Sequence, residues 1–188
     1  MTKRVERREF VRSLGTIPLA ALPAAVFERQ QEKTVSPKME FVAAGKDRAG
    51  APVAMGFSSL GFKVSGQQTD GRVFFMEHVG LTRGGGPPRH IHYEQEEWFY
   101  VLEGEVVAEV GEERIRLRMG DAVFAPRQLP HRYIYVAEKP GRLLIAFTPA
   151  GQMEAYFRNR RGLDPESFAK YGMKYVGPAL TLEEASKV

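Results

Sequence analysis

Between residues 53 and 148, apolar and polar positions alternate in short runs separated by turns rich in glycine and proline. A two-residue period sends successive side chains to opposite faces of an extended chain. The runs at 59–64, 72–81, 98–102, 105–110, 114–117, 122–125, 131–136 and 143–147 therefore read as strands with one buried face. Turn chemistry lies between them: Thr69-Asp70-Gly71, the segment 84–88, Glu103-Gly104, 111–113, Gly120-Asp121 and Lys139-Pro140-Gly141. Eight or so short strands at this spacing predict a mainly β domain over residues 53–148, a sandwich or a small barrel. From residue 149 the pattern turns helical, with helices expected at 152–161 and 165–171, the second opened by Pro165 and stopped by Gly172. Residues 149–188 thus read as a helical C-terminal extension, and the polar, irregular residues 28–52 as a linker or N-terminal arm.

The first 27 residues have a different texture. Residues 1–12 carry five cations and residues 13–27 carry no charge, the layout of an export signal. Arg7-Arg8-Glu9-Phe10-Val11-Arg12 resembles the twin-arginine signal, which predicts an exported protein, periplasmic or extracellular. The apolar part is interrupted by Gly15, Thr16, Pro18 and Pro23, and no stretch reaches the roughly 18–20 apolar residues of a membrane span. No stable span is expected.

Charge and composition refine the picture. The 188 residues hold 27 Lys plus Arg against 23 Asp plus Glu, a formal +4 that raises the question of nucleic acid. Five of those cations and two of those anions lie in residues 1–25, so the remainder has 22 against 21, about neutral. The basic run at 158–161 reads as a solvated helix face, and no nucleic-acid partner is expected. The chain has no cysteine, which excludes disulfides, zinc–thiolate sites, iron–sulfur clusters and cysteine nucleophiles. Any metal must be held by nitrogen and oxygen.

Only four histidines occur, and two form His90-x-His92 after the glycine–proline turn. On a strand, residues i and i+2 share a face, so both imidazoles can reach one point. A carboxylate follows, Glu96 or Glu97, and a third histidine, His131, stands after Pro126 and Pro130. Such a set suits one divalent transition metal among iron, manganese, nickel, cobalt, copper and zinc. Strand alternation from His92 favours Glu96, whereas a turn at 93–95 breaks that parity and admits Glu97. His78 stands apart from these residues and reads as structural or at a pocket edge.

The residues around the histidines resemble the two motifs of the cupin superfamily. In the first, Gly84, His90, His92, Glu97 and Gly104 stand at the motif's spacing; in the second, Gly120, Pro126 and His131 do, while Gln128 and Tyr135 replace a glycine and an asparagine. The resemblance implies a double-stranded β-helix barrel that binds one metal through His90, His92, Glu97 and His131. It favours Glu97 over Glu96 and leaves the turn at Gln128 in question. Tyr133 and Tyr135 share strand parity with His131, and with Phe75, Phe99 and Phe124 they are the expected substrate-binding residues.

The tail at 149–157 and 171–178, the Thr69-Asp70-Gly71 hairpin and the Pro87-Pro88-Arg89-His90 entry are similar to small quercetin 2,3-dioxygenase-like monocupins, a likeness covering about residues 53–180. It implies oxygenative cleavage by dioxygen of a flavonol-like or enol-bearing aromatic substrate, with Glu97 as catalytic base, and pairing of two copies through their sheets as a homodimer. The alternatives are a non-enzymatic metal-cupin that binds a small ligand, and another cupin enzyme, a decarboxylase or isomerase. An oxalate-type decarboxylase would aim an arginine or lysine at the metal. Arg89 and Arg127 are the nearby cations, and their direction is open at this point.

Overall fold

The computed structural model describes residues 38–159 and 165–188; the signal-like segment 1–27, residues 28–37 of the arm and residues 160–164 lie outside the described residues. The chain divides into Met1–Met39 and Glu40–Val188, and every element below belongs to the second unit. No helix among the described residues is long and apolar enough to cross a membrane.

The strands are β1 (Val53–Ala54), β2 (Ser59–Val64), β3 (Phe74–Leu81), β4 (Pro88–His92), β5 (Glu96–Glu103), β6 (Glu105–Val110), β7 (Glu113–Arg118), β8 (Ala122–Ala125), β9 (His131–Tyr135), β10 (Gly141–Thr148) and β11 (Met173–Ala179). Helices α1 (Met153–Asn159), α2 (Pro165–Lys170) and α3 (Leu182–Ala185) and a 3-10 turn at Gly66–Thr69 complete the elements among the described residues. All the strand pairings are antiparallel and form two sheets, β1-β2-β3-β10-β5-β8 and β11-β4-β9-β6-β7.

Alternation decides what fills the space between the sheets. Phe74 and Met76 of β3, Phe99 and Val101 of β5, and Leu143, Ile145 and Phe147 of β10 face inward from one sheet; Val106 and Ala108 of β6 and Tyr133 and Tyr135 of β9 join them from the other. Strand β9 is buried on both faces, because Ile134 on its outer side packs with Val107, Leu180 and Ala185 in a second cluster that includes α3. A Thr181–Glu184 capping box starts α3.

Close backbone approach explains part of the glycine-rich turn before β4. A Cβ on Gly86 would stand 1.9 Å from the Tyr133 carbonyl oxygen, so only glycine lets this turn lie along β9. The approach is sealed by Gly84 N–H donating to the Tyr135 carbonyl and Tyr135 N–H donating to the Gly85 carbonyl, both at 2.9 Å. On the other motif, Gln128 adopts φ +65, the left-handed conformation that glycine would take there without strain. The turn geometry is therefore kept despite the replacement, and Gln128 N–H donates to the His92 carbonyl at 2.7 Å.

The C-terminal extension is not wholly helical. Met153, Tyr156 and Phe157 fall on one face of α1 at helical spacing and are buried, as is Phe168 of α2. Residues 173–179, in contrast, form β11 at the edge of the five-stranded sheet against β4, with His92 opposite Met173 and His90 opposite Tyr175. Pro178 fits there because an edge strand tolerates a missing N–H, and the register shifts twice along the pair.

Candidate metal centre and its cavity

His90 and His92 project from β4 and His131 from β9, the neighbouring strand, where His90 and His131 are register partners. Glu97 comes from β5 in the facing sheet. The bend at 93–95 between β4 and β5 resets strand parity, so Glu97 turns inward, and Glu96 turns outward to pair with Arg127. The ligand atoms of His90, His92, Glu97 and His131 all lie within 4.8 Å of one another, and all four residues are buried.

Hydrogen bonds orient the rings. His90 Nδ1 stands 2.8 Å from the Pro88 carbonyl and His131 Nδ1 stands 2.9 Å from the Leu129 carbonyl, so each Nδ1 carries the proton and donates it. Each Nε2 then presents a lone pair to the interior. His90 Nε2 faces His92 Nε2 at 3.2 Å, and Glu97 Oε2 lies 3.1 Å from His92 Nε2 and 2.9 Å from His131 Nε2. A neutral His131 has one proton for two acceptors, Leu129 O and Glu97 Oε2. A cation at the Nε2 side resolves that conflict, and three imidazoles with one carboxylate are a donor set that fits a divalent transition metal.

The electrostatics agree with the geometry. Burial foremost, then the charges of His131 and His92, holds the His90 pKa well below the usual histidine value. Burial also lowers that of His92, against the opposing pull of Glu97. Burial alone would push the Glu97 carboxyl up, but its close contacts with the His131 and His92 imidazoles outweigh it and hold the carboxyl well below the ordinary carboxylate range.

The cluster opens onto a cavity of about 40 Å³. Its walls are mostly apolar: Met55, Met76, Ile145 and Phe147 from the barrel, and Met153, Tyr156, Phe157, Phe168 and Met173 from the extension. The extension is thus the cover of the cavity, with the Phe168 ring 5.4 Å from that of His90.

Of the expected substrate-binding residues, the structure brings only Tyr133 to this cavity. Tyr135 shares its face but lies four residues, roughly 13 Å, beyond His131 along β9; its hydroxyl donates to the Lys139 carbonyl at 2.7 Å, and its ring rests against Gly104 and Gly141. Phe99 points inward but behind the site, its ring 6.2 Å from His131 and 5.5 Å from Tyr133. Phe75 alternates out of the interior between Phe74 and Met76. Phe124 is exposed on β8 and packs on the exposed Trp98. Face was readable from parity, whereas depth along the strand was not.

Both nearby cations turn away. Arg89 contacts Glu109, Glu112 and the Gly111 carbonyl, Arg127 contacts Glu96, and among the described residues no lysine or arginine lines the cavity. Two residues outside the motifs stand near the site, His78 at the pocket edge expected of it. His78 lines the cavity, and Glu109, an acid within an apolar strand, ties Arg89, Arg114 and Arg132 together on the outer face.

Comparison with known proteins bears on the fold. Residues 77–147 match the family described as Cupin domain. The tetracenomycin polyketide synthase protein TcmJ of Streptomyces glaucescens is 29% identical over 75 residues, 40% of this chain and 50% of that protein. An uncharacterized protein of Methanocaldococcus jannaschii is 30% identical over 60 residues, 32% of this chain and 48% of that protein. The chain spans about half the length of the curated relatives it matches. Among solved structures, an RmlC-like cupin from Shewanella frigidimarina superposes with a TM-score of 0.51 at 18% identity, over 62% of this chain and 96% of that one. With the family match spanning β4 to β9 and two facing antiparallel sheets holding three histidines and a glutamate between them, the barrel of this chain is a cupin fold.

Proposed function

We propose that His90, His92, Glu97 and His131 hold one divalent transition metal and that the protein is a metal-dependent dioxygenase of an enol-bearing substrate. The observation that carries this reading is the convergence of four buried ligand atoms on an apolar cavity whose wall, among the described residues, contains a single carboxylate, Glu97. A metal bound there supplies Lewis-acid polarisation of a substrate oxygen and redox chemistry toward dioxygen. Glu97, the one carboxylate among the described residues of the cavity wall, would accept the enol proton. The apolar walls and the α1–α2 cover keep bulk water from the reacting end of the substrate.

The cavity narrows the substrate class. About 40 Å³ is room for roughly three water molecules, so a small enol requires a slight opening of the cover and a three-ring flavonol a far larger one. The absence of a cavity-lining cation among the described residues weighs against a small dianion such as oxalate. We also propose export in the folded state by the twin-arginine route, on the strength of residues 7–12, and a homodimer paired through the sheets.

Oxygen uptake by the metal-loaded protein, measured over a panel of 1,3-diketones, flavonols and dicarboxylic acids, tests the reading. Uptake is expected with enols, with loss of metal and turnover in His131→Ala and loss of turnover with partial metal retention in Glu97→Gln. Unchanged rates in both variants, or tight ligand retention with no oxygen consumed, overturn it; the second outcome is that of a binding module.

A further inference from the structure

A second polar group reaches the cavity from outside both motifs. His78, on β3, is buried and lines the cavity beside Tyr133. Its Nδ1 lies 2.7 Å from Ser58 Oγ and its Nε2 lies 3.3 Å from Tyr133 Oη. The imidazole is stacked on Phe57, with centroids 5.9 Å apart and an interplanar angle of 8°, and it meets the Tyr133 ring edge-on at 6.1 Å. Phe57 and Ser58 sit in the β1–β2 turn, fixed by Met55 N–H donating to the Ser58 carbonyl at 2.8 Å and Thr82 N–H donating to the Phe57 carbonyl at 3.0 Å. The ring therefore has one orientation, set by stacking on one side and a hydroxyl on another.

Two proton arrangements fit these contacts, and one of them runs inward toward the cavity. Ser58 is half-buried, so its hydroxyl is the outer end of the chain. When it donates to Nδ1, the imidazole proton resides on Nε2 and is donated to Tyr133 Oη. A phenol has one proton and two lone pairs, so Tyr133 can accept from His78 and donate into the cavity together. The cavity is small enough that a ligand held by the metal also meets the Tyr133 wall.

We propose that His78 is a positioning residue: with Ser58 it directs the Tyr133 hydroxyl so that it donates to the second oxygen of a ligand whose first oxygen is held by the metal. The ligand class is a small molecule with two oxygens, such as the enol of a 1,3-dicarbonyl. This inference rests on the metal reading above.

The test uses the full chain loaded with cobalt(II) and pentane-2,4-dione as probe, with binding read from the visible cobalt bands. Loss of one hydrogen bond predicts a dissociation constant about tenfold weaker in Tyr133→Phe. His78→Phe is expected to lose about the same, and the double variant no more than Tyr133→Phe alone, because the two residues act through one hydroxyl. His78→Gln, whose amide can still donate to the phenol, recovers part of the loss. The cobalt bands without probe stay unchanged in all four proteins. Wild-type affinity in Tyr133→Phe and His78→Phe, losses that add in the double variant, or cobalt bands that the probe leaves unmoved in the wild type overturn the inference alone. A wild type that takes up no cobalt overturns the metal reading, and the inference with it.

Discussion

Replacing Glu109 by glutamine is expected to weaken both the fold and the metal centre. Glu109 is buried on the outer face of the five-stranded sheet and is the register partner of Arg132, the residue next to His131. It accepts hydrogen bonds from Arg132 Nε at 2.9 Å and Nη2 at 3.0 Å and from Arg114 Nε at 2.6 Å, and it forms an ion pair at 3.1 Å with Arg89 Nε, which lacks hydrogen-bond geometry; Arg89 is next to His90. One carboxylate thus ties the outer sides of the two strands that carry His90 and His131, which share a single register pair in their ladder. Removing one member of a buried ion cluster costs about 3–5 kcal/mol. Arg89 and Arg114 keep 24% and 32% of their side chains in water and can rehydrate, so the lower end, about 3 kcal/mol, is the expected loss. If the clamp also sets the spacing of the two imidazoles, metal affinity should fall by about 10- to 100-fold, as for other residues that orient ligands from behind. Urea unfolding of the metal-free protein reads the first effect, and competition with a chelator reads the second. Lost stability with metal affinity intact would show that the clamp holds the sheet without shaping the centre. A stability change under about 1 kcal/mol would refute the burial argument itself.

Three further outcomes follow from the same structure. Asp47, Glu77 and Glu109 are each pushed up by burial but held below their ordinary values of 3.8, 4.5 and 4.5 by hydrogen bonds and nearby cations. Depressed carboxylate pKa values contribute stability that is lost as pH falls through them, and the lowered His90 and His92 values add a loss that begins as pH falls through the ordinary histidine value of 6.5, so the urea midpoint of the metal-free protein should fall from about pH 7 and more steeply below about 4.5. A midpoint that rises on acidification contradicts this. Gln128→Gly should raise stability by about 0.5–1 kcal/mol, since relief of the left-handed strain exceeds the added freedom of the unfolded chain; destabilisation in urea unfolding would count against it. Phe168→Ala should cost about 3–5 kcal/mol while admitting flavonol-sized ligands that the wild type binds poorly, as read by calorimetric titration. Equal affinities in the two proteins would mean that the cover is not what limits ligand size.

The strand pattern and the four-residue cluster were legible from alternation and motif spacing, because a two-residue period fixes faces and a short loop fixes proximity. Glu97 over Glu96 needed the bend at 93–95, which alternation alone misjudges. Strand β11 was not legible: Met173–Ala179 contains Gly177 and Pro178 and takes its extended form from pairing with β4, a partner some eighty residues away. The cavity wall was misjudged for the same kind of reason. Parity places Tyr133 and Tyr135 on one face, but which end of the barrel each occupies depends on how the strands stagger, and the apolar cover from α1 and α2 depends on packing across the chain. Glu109 could have been suspected from an acid standing in the run Val106–Val110, since a carboxylate in a buried strand needs cationic partners.

The proposed metal centre consists of one metal held by three imidazoles and one carboxylate. Elemental analysis of the purified full chain, paired with X-ray absorption at the edge of whichever metal is found, tests it most directly. One divalent transition metal per chain, with nitrogen and oxygen neighbours and no sulfur, and its loss in His131→Ala, is the predicted result. A chain that binds no metal, or one that keeps its metal and an unchanged absorption spectrum in His131→Ala, contradicts the account.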